Sequence, residues 1–218
     1  MIERDYIMRM IAQLTQFLIK IFFYKNKKDY PQAIEEINRA GRQILGVDRI
    51  FLHSLPPQQL VEFFGKDKAI DLPKCYVAGM MMKEEADILA LQHHDEEATR
   101  LRLTALYLLV EIALEYHLSE FENLQPSLDE IINNFHGIEL PADLSKKLFQ
   151  YFEKIKRFDK AEDILYKILE NDRAFKKEGV AFYQRLSKLS NQELINSGLP
   201  MEEIRDGLAE LQRNFGKI

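Results

Sequence analysis

The residues best suited to chemistry cluster at His93-His94-Asp95-Glu96-Glu97, with Glu84, Glu85 and Asp87 shortly upstream. Imidazoles beside carboxylates are the donor set of a divalent-metal site. The spacing opposes that reading. Adjacent histidines on a helix point about 100° apart, and neither has a second histidine four residues away to share one ion. The Glu-x-x-His pattern of di-iron bundles is also absent. The same residues read better as a solvated junction, in which Asp95, Glu96 and Glu97 form the cap and acidic first turn that a helix N-terminus favours.

Other candidates fail for similar physical reasons. Gly41 to Gly46 has the outer spacing of a phosphate-cradling loop, but Val47-Asp48 stands where Lys-Ser/Thr is required, and the segment reads as helix. No GxSxG, HExxH or GxGxxG occurs. His117 and His136 read as helix C-terminal caps rather than bases. Cys75 is the only cysteine, which excludes an intramolecular disulfide and any CxxC motif. Beside Tyr76 and Val77 it reads as a buried structural thiol. Met80, Met81 and Met82 could form an adaptable binding face, yet two of the three share one helical stripe, so core filling is expected. The sequence therefore assigns no catalytic residue, no metal ligand and no cofactor, and it predicts a non-enzyme, with an enzyme whose site is assembled from scattered residues as a further alternative.

The elements that must position these residues are helices. The 218 residues hold nine glycines and seven prolines, where average usage would give about 26 together. Turns are scarce, and 46% apolar residues provide a core, so disordered and turn-rich β classes are excluded. Met10, Ile11, Leu14, Phe17, Leu18, Ile21 and Phe22 stripe a first helix to about Tyr24. A second runs from Pro31 to Gly46, and a short third spans Ser54 to Gly65 with Leu60 and Phe63 or Phe64 as its core pair. Asp71-Leu72-Pro73 opens a fourth, carrying Tyr76, Val77, Met80, Met81, Ile88 and Leu91. The fifth, from Asp95 through Ala113, is apolar on more than one face and is expected to be the most buried. Pro126 and Pro141 open the next two. Further segments end with Pro200 to Asn214, whose Ile204, Leu208 and Leu211 are expected inside. The expectation is an all-α fold of ten or eleven helices, packed as antiparallel hairpins in a short superhelix or irregular bundle, with regions 1–140 and 141–218 in one continuous unit.

Ala142 to Phe175 resembles one tetratricopeptide unit, with Leu148, Phe152, Phe158, Ala161, Leu165 and Leu169 at that family's packing positions. Leu14 to Val47 is a weaker match through Tyr24, Tyr30, Ala33, Ile37 and Ala40. The pattern is degenerate. Lys20, Ser145, Phe149, Lys156 and Arg173 depart from it, and between the two units Pro126 breaks it. The chain is also similar to uncharacterised bacterial helical families, a likeness that implies no activity. The tetratricopeptide resemblance implies a groove for a protein or peptide partner, lined by Asp143, Lys146, Gln150, Glu153 and Lys154, in which Lys146 and Lys154 could grip a terminal carboxylate.

A net charge of -5 argues against nucleic acid as a partner. The first 28 residues are the exception, with Arg4, Arg9, Lys20, Lys25, Lys27 and Lys28 opposed only by Glu3 and Asp5. From Ile7 to Tyr24 the apolar run is broken by Arg9, Gln13, Gln16 and Lys20, so it reads neither as a continuous span nor as a signal peptide. A cytoplasmic protein is expected. The basic, apolar first helix supports a second reading as a membrane-surface or self-association element, against burial of its stripe in the core.

Overall fold

A computed structural model describes residues 2–65, 72–121 and 123–214. Among them are twelve α-helices and no strand. The chain divides into two compact units, Met1–Ile138 and Glu139–Ile218.

The first unit holds α1 (Ile2–Asn26), α2 (Tyr30–Ala40), α3 (Arg49–Ser54), α4 (Pro57–Phe64), α5 (Lys74–Leu91), α6 (Asp95–Glu115) and α7 (Leu124–Asn134). Asp29 begins α2 by accepting a hydrogen bond from the Gln32 N–H at 3.4 Å, and Pro31 occupies the first turn. The second helix does not run unbroken to Gly46 as expected. It widens into a single π-turn over Gly41–Leu45 before Gly46 ends it. Asp48 then caps α3 through the Phe51 N–H at 2.9 Å. α3 is one helix beyond the ten or eleven expected, and it is too short to show an apolar period of its own. In α4, Leu60 and Phe64 are buried while Phe63 is 38% exposed, so Phe64 is the partner of Leu60.

The most buried helix is α5 rather than α6, with thirteen inward residues against ten. Its neighbours α1, α2, α4, α6 and α7 surround it. The charged run Lys83-Glu84-Glu85 disguised this in the sequence. Gly79 makes room for α6: a Cβ there would lie 2.8 Å from the Leu109 side chain, which packs directly against the α5 backbone. Leu91, expected inside, is 53% exposed because it belongs to the last turn. Asp71, expected to open α5 with Leu72 and Pro73, lies outside the described residues. Leu124 and Gln125 precede Pro126 within α7. That is tolerated because first-turn N–H groups lack intrahelical acceptors anyway.

The second unit holds α8 (Ala142–Lys154), α9 (Phe158–Asn171), α10 (Lys176–Leu186), α11 (Asn191–Asn196) and α12 (Met201–Asn214). α8 pairs with α9 and α10 with α12. Leu144, Leu148, Phe152, Phe158, Ala161, Leu165, Ile168 and Leu169 are all buried. Phe182 of α10 stacks edge-on against Phe149 and Phe158, with centroids at 5.2 and 6.4 Å. Ile204 and Leu211 are buried, whereas Leu208 is only half-buried.

Candidate functional site

His93 and His94 lie in the turn between α5 and α6, and Asp95, Glu96 and Glu97 form the first turn of α6, with His94 rather than Asp95 at the N-cap; all five side chains are exposed around an open depression. The acids upstream do not converge on these histidines. Glu84 accepts from Lys25 at 2.6 Å, Asp87 from Lys83 at 3.2 Å and from Arg102 at 3.3 Å, and Glu85 pairs with Arg49 and His53. Among the described residues, no three His, Cys, Asp or Glu side chains are grouped to hold a metal ion.

These pairs form a half-buried charge network around α5. Burial alone would depress the Lys83 ammonium, but Asp87, Glu84 and Glu130 lie beside it and raise it well above its ordinary value. Lys83 is therefore a fixed cation and a poor proton acceptor. Glu85, 1% exposed, has its carboxylate matched from two sides. The network can lock α5 to α1, α3, α6 and α7, with the charge on each member balanced by its neighbours.

Cys75 and the three consecutive methionines are buried. Desolvation pushes the Cys75 thiol far up, and Glu111 adds to the rise, which leaves no nucleophilic thiolate near neutral pH. Gly41 lies in the π-turn with its backbone against Val47, not in a phosphate loop. His117 lies beyond the end of α6 and opens the following turn, its backbone N–H donating to Glu120 at 3.2 Å. It is thus not a C-terminal cap. His136 likewise lies one residue past Phe135, which caps α7, with its backbone N–H donating to the Asn133 carbonyl at 3.4 Å, so it is not the cap either.

In the second unit, the residues read as a partner groove are divided by the packing. Lys146 donates to Asp172 at 2.7 Å and lies over the Phe175 ring. Glu153 accepts two hydrogen bonds from Arg185, at 2.7 and 2.8 Å. Asp143, Gln150 and Lys154 are exposed. A second cluster lies where α9, α10 and α12 meet. The Tyr183 hydroxyl donates to Glu162 at 2.5 Å, and the Tyr166 hydroxyl donates to Glu210 at 3.1 Å. Gly207 makes room for it, since a Cβ there would fall 2.4 Å from the Tyr183 ring.

The surface with the clearest capacity to bind is on α1. Ile7, Met10, Leu14, Phe17 and Ile21 are buried at alternating spacings of three and four, and they anchor the helix to its unit. The expected stripe is only partly this one: Phe22 is 60% exposed, and Ile11 and Leu18 are half-buried. Met8 at 56%, Ile19 at 65% and Phe23 at 50% join Phe22 in the open. Met8, Ala12, Thr15, Ile19 and Phe22 repeat the same three-four spacing along a second line. Thr15 adds no polar demand, because its hydroxyl donates to the Ile11 carbonyl at 2.9 Å. The result is an apolar strip along the outer face of α1, rimmed by polar side chains as exposed interaction patches are. Along one side run Arg9, Gln16, Lys20 and Lys27, all exposed. The Lys27 ammonium lies 4.2 Å from the Phe23 centroid, which joins the basic row to the strip.

The sequence missed Met8, Ile19 and Phe23 as a set. Their signal was present in a helix apolar on two faces, whereas one inward stripe accounts for one. No curated protein and no solved structure matches the chain. The match lies with a family model that covers residues 1–216, and by it the chain belongs to the family of unknown function DUF6483.

Proposed function

We propose that this protein is a non-catalytic helical docking module, and that it docks through the open face of α1. The observation that carries the reading is the second apolar stripe: one face of α1 builds the core while Met8, Ile19, Phe22 and Phe23 stay in solvent. Such a strip costs solubility if it remains bare, and it is offset only when something covers it. The polar clusters support the same reading. The carboxylates around α5 are held by cations, and the Cys75 thiol is sealed.

The tetratricopeptide-like hairpin α8–α9 enters this proposal as scaffold. Its buried Ala161, Phe152 and Phe158 are consistent with that family's helix packing, while Lys146 and Glu153 hold α8 to its neighbours rather than facing an open groove.

The test is retrieval from the native cell with the tagged full chain. An Ile19→Glu, Phe22→Glu variant serves as control and should fold as the wild type does, since neither side chain is buried. Whatever protein or lipid is retained by the wild type should be lost in the variant. Equal retention by the two would remove α1 from the function.

A further inference from the structure

We infer that the partner of α1 is an anionic lipid surface, on which the helix lies flat with Met8, Ile19, Phe22 and Phe23 in the acyl boundary. This rests on the reading of that face as a docking surface. Three observations select the occupant.

The first is charge. The chain as a whole is acidic at -5, so a general electrostatic attraction to anions is absent. Along α1 and the turn after it, however, the exposed charges are Arg9, Lys20, Lys27 and Lys28 against Asp5 and Asp29. Lys25 is excluded from this tally because Glu84 and Asp87 neutralise it. Lys20 has a loose contact of 3.7 Å with Glu36 and stays 57% exposed, free to reach a second anion. Basic side chains beside an apolar strip match headgroup phosphates above acyl chains.

The second is area. A stable interface between two proteins needs roughly 800 Å2 from each partner. The open face of α1 centres on four exposed apolar side chains, Met8, Ile19, Phe22 and Phe23, far fewer than the roughly 20 to 30 residues a side that such an interface engages. Insertion into a bilayer has no such threshold, and a phenylalanine pair contributes large apolar surface at the boundary.

The third is anchorage. α1 is long and apolar enough to cross a membrane by length and composition. Its opposite face, through Ile7, Met10, Leu14, Phe17 and Ile21, is locked into the unit. Spanning would tear that face out of the core. Lying on the surface leaves it in place.

The experiment is co-sedimentation of the full chain with vesicles of equal parts phosphatidylcholine and phosphatidylglycerol, against pure phosphatidylcholine vesicles, at low and high salt. The wild type should pellet with the anionic vesicles at low salt and remain in the supernatant with the neutral ones. The Arg9→Gln, Lys20→Gln, Lys27→Gln variant should bind about a hundredfold more weakly, at roughly fivefold per basic residue. The Ile19→Glu, Phe22→Glu variant should not pellet, while its circular dichroism and thermal midpoint match the wild type. Failure of the wild type to pellet with anionic vesicles overturns the lipid inference, as does equal pelleting with both vesicle types. If light scattering then finds a dimer that the Ile19→Glu, Phe22→Glu variant loses, the occupant is a second copy and the docking reading stands. If that variant matches the wild type in pelleting, scattering and retention, both inferences fall.

Discussion

Glu162 shows how a half-buried acid pair behaves when one member is a tyrosine. Burial raises the Glu162 carboxyl, the hydrogen bond from Tyr183 opposes the rise, and Glu203, Asp163 and Glu210 add repulsion, so the net direction is upward. Its proton is therefore held more tightly in the folded chain than in the unfolded one. The stability this group supplies is complete below the ordinary carboxylate range and is lost as pH rises through the raised value. Glu162→Gln keeps an acceptor for Tyr183 and removes the charge. The variant should be more stable than the wild type near pH 7, and the difference should vanish by about pH 3, below the ordinary carboxylate range, where the glutamate is neutral in both the folded and the unfolded chain. Urea midpoints at the two values check this, and a difference that grows on acidification contradicts the assignment. None of it was legible in the sequence. Glu162, Tyr166, Tyr183 and Glu210 come from three helices, and only packing brings them within hydrogen-bond reach. By contrast, the exposed His93-to-Glu97 junction was readable from its acidic run, which suits a helix N-terminus, although the two histidines lie between α5 and α6, with His93 in a left-handed backbone at φ 63°, rather than on a helix as their spacing suggested.

At the scale of elements, α1 carries two apolar lines with the same spacing, and burial alone distinguishes them. Ile21 is fully buried and Ile19 is 65% exposed, two positions apart on the same helix. Ile21→Ala should cost about 3 kcal/mol, through lost transfer and a residual cavity. Ile19→Ala should stay within about 0.5 kcal/mol. Chemical denaturation of both variants tests the pair, and equal losses would mean that something in the fold covers Ile19. The helices other than α3 were largely legible, because their boundaries follow local chemistry: Asp29 with Pro31, Gly46 and Pro141 act within one turn. What escaped was the rank of the helices in the core. α5 looked less buried than α6 because Lys83, Glu84, Glu85 and Asp87 suggest a solvated face. Lys25, Arg49, His53 and Arg102 supply the partners that let the carboxylates go inside, and all four lie on other helices, about which the pattern of α5 says nothing.

At the scale of the whole molecule, the chain forms two compact units that meet in sequence at Ile138 and Glu139. The stretch between α7 and α8 has the marks of a boundary. α7 ends at Asn134, Gly137 takes a left-handed backbone at φ 80°, and residues 136–139 are exposed. Ile138 presents 51% of its surface. The Glu139 side chain accepts an exposed hydrogen bond from Asn171 at 3.1 Å, which yields easily to solvent. A protease needs an extended, accessible backbone of several residues, and such exposed connections are cut before helices are. A glutamate-specific protease under native conditions should therefore make its first cut after Glu139, leaving pieces close to residues 1–139 and 140–218. Asn171→Ala should speed that cut, because it removes the side-chain contact while leaving the helices intact. Mass spectrometry of the first fragments decides the matter. Early cleavage at Glu84 or Glu85 instead would mean that α5 opens before the connection does, which its burial and its paired charges forbid.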